Sequence, residues 1–349
     1  MKRKKFLVWI IGIMFALALT IPTALFIMAR LGKASLLQNA SSPMPQIAKG
    51  SAQPQPDEEW EEGWIRYQGK VYGYNQNILT FLCMGIDVDD VLREEQQGWE
   101  SGQADALFLL VLNPDTQRIS IIAIDRNTMT EVDMYDPENH FLGTVQAQVN
   151  LAHGYGDGRE SSAENQVKAV SHLMYELPIH GYCAINMPAI YYLNDVIGGV
   201  DVTVMEDYTS EYLPLPVGET VHLDGRMAYA YVRYRDTEVP ESARLRLARQ
   251  KQYLLAFVDK AKQEFKKDIS LPLRIYQALA PSMVTDITAD EAVYLAGEAA
   301  GYSFSPEDLI VLPGATDTSG EFDEFHVDPD ALKQLIIDVF YTEIEGVQP

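Results

Sequence analysis

Cysteine and histidine are scarce in this 349-residue chain, with two of the first and six of the second. Neither falls at metal-ligand spacing, which excludes a zinc site built on thiolates or imidazoles. His153 and His180 read instead as packing or capping residues. A Walker loop, a GxSxG elbow and an HExxH pair are all absent, which excludes the commonest NTPase, serine-hydrolase and zinc-protease readings. Positive charge is scarce as well: 27 Lys+Arg stand against 50 Asp+Glu, a net charge of −23. The first 33 residues hold six of the basic residues and no acid, so the remainder carries 21 against 50, or −29. Such a surface repels nucleic acid and anionic headgroups, and an anionic ligand needs a local basic site against that background.

Charge is missing altogether from residues 6–28, FLVWIIGIMFALALTIPTALFIM, 23 in a row. At ~1.5 Å per residue the run spans roughly 35 Å, enough for a hydrocarbon core. Pro22 is tolerated in a membrane helix. Lys2, Arg3, Lys4 and Lys5 precede the run and only Arg30 and Lys33 follow closely, so the positive-inside bias puts the N-terminus in the cytoplasm. A cleaved signal peptide would have an apolar core of only about 7–15 residues. The run therefore reads as an uncleaved single-pass anchor in the cell membrane, with the C-terminal part outside the cytoplasm. Cys83 and Cys183 then lie where a disulfide is chemically open, although their apolar settings, FLCMG and YCAINM, equally suit buried free thiols.

Residues 1–33 form the cytoplasmic end and anchor. Residues 34–59, rich in Ser, Pro, Gln and Ala, read as a flexible stalk. The remainder divides into a domain at 60–268 and a C-terminal extension at 269–349 packed on it. Strands are predicted at 78–84, 106–112 and 117–124, the last two joined through Asn113-Pro114-Asp115-Thr116 as a hairpin. The unbroken apolar run 106–112 predicts a central strand. Helices are predicted at 161–177, 188–197, 241–267, 288–300 and 328–343, with Ser161, Thr288 and Asp328 as caps. Strands 182–187 and 200–205 interleave with them. The pattern is an α/β fold with a mixed central sheet and helices on both faces.

Two acids sit at strand ends: Asp87 just after strand 78–84, and Asp105 opening strand 106–112. Adjoining carboxylates can share a hard cation, although spacing alone also fits two solvated loop acids. Asp87-Val88-Asp89-Asp90 is not a calcium loop, because Leu92 and Gly98 stand where Gly and Glu are needed. The Asp-x-Asp of a haloacid-dehalogenase-type phosphatase is excluded by the hairpin that follows. Arg126 ends strand 117–124 at the same edge as Asp105. Seven basic residues crowd into 226–251. Within them Arg246, Arg249 and Gln250 share a helix face, and Arg233 and Arg235 alternate in YVRYR, where an extended backbone points both the same way. Guanidinium forks suit phosphate oxygens; a salt-bridged surface helix, with Asp236, Glu238 and Glu241 near, is the alternative. Gly154–Gly158 is explained as well by a turn before a helix as by a phosphate loop.

FLCMGID, ADALFLLVLNPDTQRISIIAIDRNT, VNLAHGYGDG, INMPAIYYLNDVIGGVDVTV, LDGRMAYAYVRYRDT and RLRLARQKQ stand in the order and near the spacing of one family. The chain resembles the LytR–CpsA–Psr family of bacterial cell-envelope proteins, closely over about 75–265. The resemblance implies transfer of a glycopolymer from a polyprenyl-pyrophosphate carrier to peptidoglycan by a phosphodiester-forming step. It implies Mg²⁺, or Mn²⁺ in its place, held by Asp87 and Asp105. Arg126 matches the arginine of the family's IPRD segment, Arg233 and Arg235 its YVRYR pair, and Arg246, Arg249 and Gln250 its GRxxRQ segment. The implied pyrophosphate ligands are these six residues, with Arg126, Asp105 and Arg233 at the reaction centre. The implied partners are the lipid-linked glycan, peptidoglycan and the membrane, with no nucleic acid. Four positions depart from the pattern: Gln103 and Gln148 replace cations, and Asn127 and Ala243 replace acids. They motivate two rival readings, a non-catalytic envelope scaffold that binds lipid-linked pyrophosphate and a polyprenyl-pyrophosphate hydrolase.

Overall fold

A computed structural model describes residues 25–36, 44–47, 60–88, 102–136, 138, 140–205, 215–234 and 242–344. Residues 6–24 of the apolar run and most of the stalk lie outside that set. Among the described residues no helix is long and apolar enough to cross a membrane. A helix, α1, runs over 25–36, so the first three residues assigned to the stalk are helical. The chain divides into two compact units.

The larger unit comprises 41–190, 280–286 and 302–349. Its centre is a six-stranded mixed sheet of β3 (Leu79–Ile86), β4 (Ala104–Asn113), β5 (Arg118–Ile124), β8 (Gly181–Asn186), β11 (Met283–Thr285) and β12 (Leu309–Val311), in the order β11-β8-β3-β4-β5-β12. β3, β4 and β5 pair antiparallel, as the Asn113–Thr116 turn predicts. Asn113 builds that turn, its Oδ1 accepting from the N–H of Asp115 and of Thr116. β3 pairs β8 in parallel, and β12 pairs β5 in parallel. The apolar sequence of the central strands buries both of their faces. One carries Leu82, Leu109 and Ile122, each fully inaccessible, and the other Phe81, Leu112 and Ile121. Helices α2 (Glu160–Leu173) and α8 (Pro329–Phe340) contribute Ala169, Val170, Ile336 and Phe340 to the cluster around Leu82. Truncating a buried leucine in such a core costs about 2–5 kcal/mol, far more than one surface ion pair at ~0–1 kcal/mol.

Three hairpins complete this unit: β1 (Trp64–Tyr67) with β2 (Lys70–Tyr74), β6 (Met129–Tyr135) with β7 (Phe141–Gln148), and β13 (Gly314–Asp317) with β14 (Glu324–Val327). The final strand β15 (Tyr341–Glu343) adds to β2. The predicted helix 328–343 therefore stops at Phe340, where the chain turns into this strand. Asp328 caps α8 as expected, accepting from the N–H of Asp330 and of Ala331. Ser161 does not cap α2; Asp157 instead accepts from the N–H of Arg159 and of Ser162. Lys168 of α2 forms an ion pair with buried Asp133 of β6, and Thr144 of β7 donates to the same carboxylate at 2.5 Å.

The smaller unit comprises residues up to 40, 191–279 and 287–301. It holds α1, most of α3 (Ala189–Val196), β9 (Val200–Thr203) paired antiparallel with β10 (Thr220–Leu223), α4 (Gly225–Arg233), α5 (Ser242–Lys267), α6 (Leu271–Leu279) and α7 (Ala289–Gly301). Asp224 caps α4 through the N–H of Met227 at 2.8 Å. Thr288 and Glu291 make the expected reciprocal cap of α7.

Cys83 and Cys183 face each other in register across β3 and β8 and are free thiols. Burial pushes the Cys83 thiol up to about 11 and raises that of Cys183 further, aided by its neighbours Cys83 and Asp286. Both side chains are half-buried, so at pH 8 an aromatic disulfide reagent is expected to label the two thiols far more slowly in the native protein than in denaturant; equal rates would contradict the raised thiol pKa values. Burial opposes ionisation of Asp133, but the bonds from Lys168 and Thr144 outweigh it and hold the carboxyl below the usual range. Its stabilising contribution is complete above the unfolded value of about 4 and is lost as pH falls through the folded one. Asp133→Asn is therefore expected to lower the thermal midpoint by about 2–4 °C at neutral pH. The gap to wild type should close in acid, and a gap independent of pH would refute the assignment.

Candidate functional site

The two strand-end acids are placed by one carbonyl. β3 and β4 run in register up to Gly85 opposite Ala106, and then Ile86 pairs with Ala104, leaving Asp105 as the extra residue of a β-bulge. A bulge re-aims the side chain it carries and commonly lies beside active sites. The Gln103 carbonyl accepts the N–H of Asp87 at 3.0 Å and of Asp105 at 3.1 Å, so both carboxylates spring from one point of backbone. Gly102 makes the approach: its φ is +78°, and a Cβ there would lie 2.5 Å from Val88 Cγ2.

Arg126 follows β5 in a turn made by Asp125, whose carboxylate accepts the Asn127 N–H at 2.8 Å and whose carbonyl accepts the Thr128 hydroxyl at 2.6 Å. The turn brings Arg126 Nη1 to Asp105 Oδ1 at 2.6 Å. The edge shared by these residues in the sequence reading is thus a direct contact. Both side chains remain partly open to solvent, and Asp87 is exposed. The donor set suits a hard cation in kind: both acids offer carboxylate oxygens from backbone held by one carbonyl, and Arg126 engages one oxygen of Asp105. The one cluster of three metal-type ligands among the described residues, Asp136, Glu138 and His140, is elsewhere, at the tip of the β6–β7 hairpin.

The remaining predicted site residues belong to the smaller unit. Arg233 is the last residue of α4, so YVRYR is helical up to this point and not extended as its alternation suggested. Asp224 at the cap and buried Ala228, Tyr231 and Val232 set a helical period there. Arg233 is exposed, donates to the Tyr229 hydroxyl, and lies 5.3 Å from the centre of that ring. Tyr229 in turn stacks on Tyr191 with centroids 4.6 Å apart. Arg235 lies outside the described residues. Arg249 is buried and donates to the carbonyls of Tyr231, at 3.0 Å, and of Tyr234; burial lowers its pKa. Gln250 donates to the Val232 carbonyl at 3.1 Å. Arg249 and Gln250 therefore close the C-terminal turn of α4, where helix carbonyls lack partners of their own. Arg246, three residues before Arg249 on α5, is half-buried.

The structure thus assembles Asp87, Asp105 and Arg126 in one unit, and Arg233, Arg249 and Gln250 in the other. The two cation-to-glutamine positions are engaged with protein. Gln103 Oε1 accepts from Asn150, and Gln148 Nε2 donates to the Asp323 carbonyl at 2.8 Å. Sequence reasoning missed Gly102 and the Gln103 carbonyl; the signal was a glycine two residues before a strand whose second residue is an acid. His180 Nδ1 accepts the Thr80 N–H at 3.1 Å, and burial lowers the pKa of its ring, in keeping with a structural role.

The profile of the LytR–CpsA–Psr family matches residues 45–335. A polyisoprenyl-teichoic acid–peptidoglycan teichoic acid transferase TagU of Bacillus mycoides is 26% identical over 268 residues, 76% of this chain and 79% of its own length. Among solved structures, a Streptococcus agalactiae protein superposes with a TM-score of 0.61 at 21% identity, covering 78% of this chain and 91% of its own. TagV of B. subtilis superposes at 0.56 with 22% identity, covering 76% and 97%. These two share the mixed α/β fold, and since the family profile spans most of the sequence, the chain belongs to the LytR–CpsA–Psr family.

Proposed function

We propose that this protein transfers a glycopolymer from a polyprenyl-pyrophosphate carrier to peptidoglycan, as a phosphotransferase of cell-wall assembly. The observation that carries the reading is the pairing of Arg126 with bulged Asp105 beside Asp87. This is a compact oxygen-and-guanidinium site in a chain whose net charge of −23 would otherwise repel a pyrophosphate. The family and the TagU relatives support the same donor and acceptor classes. An acceptor hydroxyl attacks the sugar-linked phosphorus, its proton passes to solvent, the bond from that phosphorus to the bridging oxygen breaks, and polyprenyl phosphate leaves. Arg126 offers a fixed fork to the phosphate oxygens and, through its bond to Asp105, is already oriented. The family resemblance assigns Arg233, Arg235 and Arg246 of the smaller unit to phosphate binding as well, and within that unit Arg249 with Gln250 holds the end of α4 that carries Arg233. Asp87 and Asp105 would hold Mg²⁺, or Mn²⁺, which when bound neutralises charge on the pyrophosphate.

A membrane-borne donor gives the uncharged run at 6–28 its purpose. We propose that it anchors the protein with its N-terminus in the cytoplasm, leaving the rest outside. The scaffold reading draws on Gln103 and Gln148, where neutral amides bound to protein groups stand in place of cations. One assay separates the readings. The full chain in detergent is incubated with a polyprenyl-pyrophosphate glycan, Mg²⁺ and peptidoglycan oligomers. Transfer releases polyprenyl phosphate and yields a linked product; release without linkage indicates hydrolysis, and binding without release indicates the scaffold. Arg126→Ala is expected to lower turnover by ~10²-fold or more, the scale of losing one aimed donor to a developing anion. Unchanged turnover in this variant would remove Arg126 from the site.

A further inference from the structure

The 3-10 segment Val149–Tyr155, which follows β7, grips both loops of the candidate site. On the acid side, Asn150 Nδ2 donates to Gln103 Oε1 at 3.0 Å, and His153 Nδ1 bonds the Gly102 carbonyl at 3.0 Å. On the arginine side, the Asn150 N–H donates to the Arg126 carbonyl at 3.2 Å, and the Val149 N–H to the Thr128 carbonyl at 2.8 Å. Gln166 of α2 locks the segment from beneath. Its Oε1 accepts the His153 N–H at 3.2 Å, and its Nε2 donates to the Val149 carbonyl at 2.8 Å. Asn150, His153 and Gln166 are all buried to 2% exposure or less.

Asn150 stands out in this network because it touches both loops. It is also incompletely satisfied: its Oδ1 has no hydrogen-bond partner among the described residues. A buried amide with an orphaned acceptor is a poor choice for stability alone, and polar groups that break packing rules concentrate where function demands them. A ligand cannot reach a side chain so buried, so a direct catalytic part is excluded. We propose that Asn150 is a positioning residue. Its amide fixes Gln103, whose carbonyl holds the backbone of Asp87 and Asp105, and its N–H fixes the turn of Arg126. The proposal rests on reading those three residues as the pyrophosphate site, and its functional content is that the placement of the acid pair is set from the 3-10 segment.

The test is made on the full chain in detergent with two readouts. Amide hydrogen exchange of segments 84–88 and 102–106 reports the backbone placement. Asn150→Ala is expected to speed exchange of the Asp87 and Asp105 amides by about tenfold, the effect of weakening a local closed state. Gln103→Ala, at a half-buried position, cuts the same link and keeps the test alive if the first variant does not fold. The double variant should exceed the larger single effect by little, because the two act through one contact. Asp133→Asn, which disturbs the same unit elsewhere, should leave both amides as in wild type. The second readout is Mn²⁺ affinity from water proton relaxation. Asn150→Ala and Gln103→Ala should weaken it about tenfold, the lower end of what loss of an outer-shell partner does, while Asp133→Asn should not. Exchange in Asn150→Ala and Gln103→Ala no faster than in Asp133→Asn would overturn the positioning role. Wild type that binds no Mn²⁺ would overturn the cation reading and leave the exchange result to decide the positioning role.

Discussion

Two N–H groups converge on the carbonyl of Gln103, and the arrangement of the candidate site depends on that convergence. Without it Asp87 would be a loop acid beyond the end of β3, and Asp105 an ordinary strand residue pointing to one face of the sheet. The bulge between Gly85 and Ile86 is what releases Asp105 from the pleat. A perfect ladder would have alternated its side chain with Ala104 and Ala106 and fixed it toward a covered face. Gly102 permits the geometry by accepting a left-handed φ where any Cβ would strike Val88. Small residues around the acids, Gly85, Gly102, Ala104 and Ala106, thus make room for the chain to double back.

The rigidity of this corner comes from the sheet. β3 and β4 are its two central strands, with neighbours on both sides and buried faces. A site on such strands inherits their order, whereas ion pairs at the surface could not supply it. The C-terminal residues take part in this frame. β11 and β12 form the two edges of the sheet, and β15 extends the β1–β2 hairpin. The β13–β14 hairpin ties to the Arg126 turn through the Phe325 N–H, which donates to the Asn127 carbonyl at 2.9 Å. Edge strands of three residues leave little unpaired backbone that could template association.

Electrostatics sets a second constraint. In a chain with 50 acids, an arginine is more often drawn into an ion pair than left for a ligand. Arg126 and Arg249 meet this in opposite ways. Arg126 pairs with an acid that itself belongs to the candidate site, so its guanidinium is held there and stays partly exposed. Arg249 is buried against the carbonyls that end α4. A guanidinium in a helix-terminal position complements the partial negative charge there, which makes it structural support for the exposed Arg233 on the preceding turn.

The sequence by itself determined the elements whose signals are local. Apolar runs located β3, β4, β5 and β8; the Asn113–Thr116 turn joined β4 to β5; Thr288 and Asp328 marked the starts of α7 and α8. The same signals put Asp87, Asp105 and Arg126 at strand ends on one edge. Tertiary structure alone decided the rest, because the deciding contacts join residues far apart in the chain. The β6–β7 hairpin alternates weakly and was not legible. The helical state of Tyr231–Arg233 is secured by α5 residues some eighteen positions on, so a local alternation of arginines misled. No periodicity reveals that Gln103, a side chain of little promise in a row, lends its backbone to both acids, or that Asn150, 47 residues away, holds it. Spacing along a chain can put charged groups at one edge; only the folded packing around them decides which oxygen, and which N–H, holds each in place.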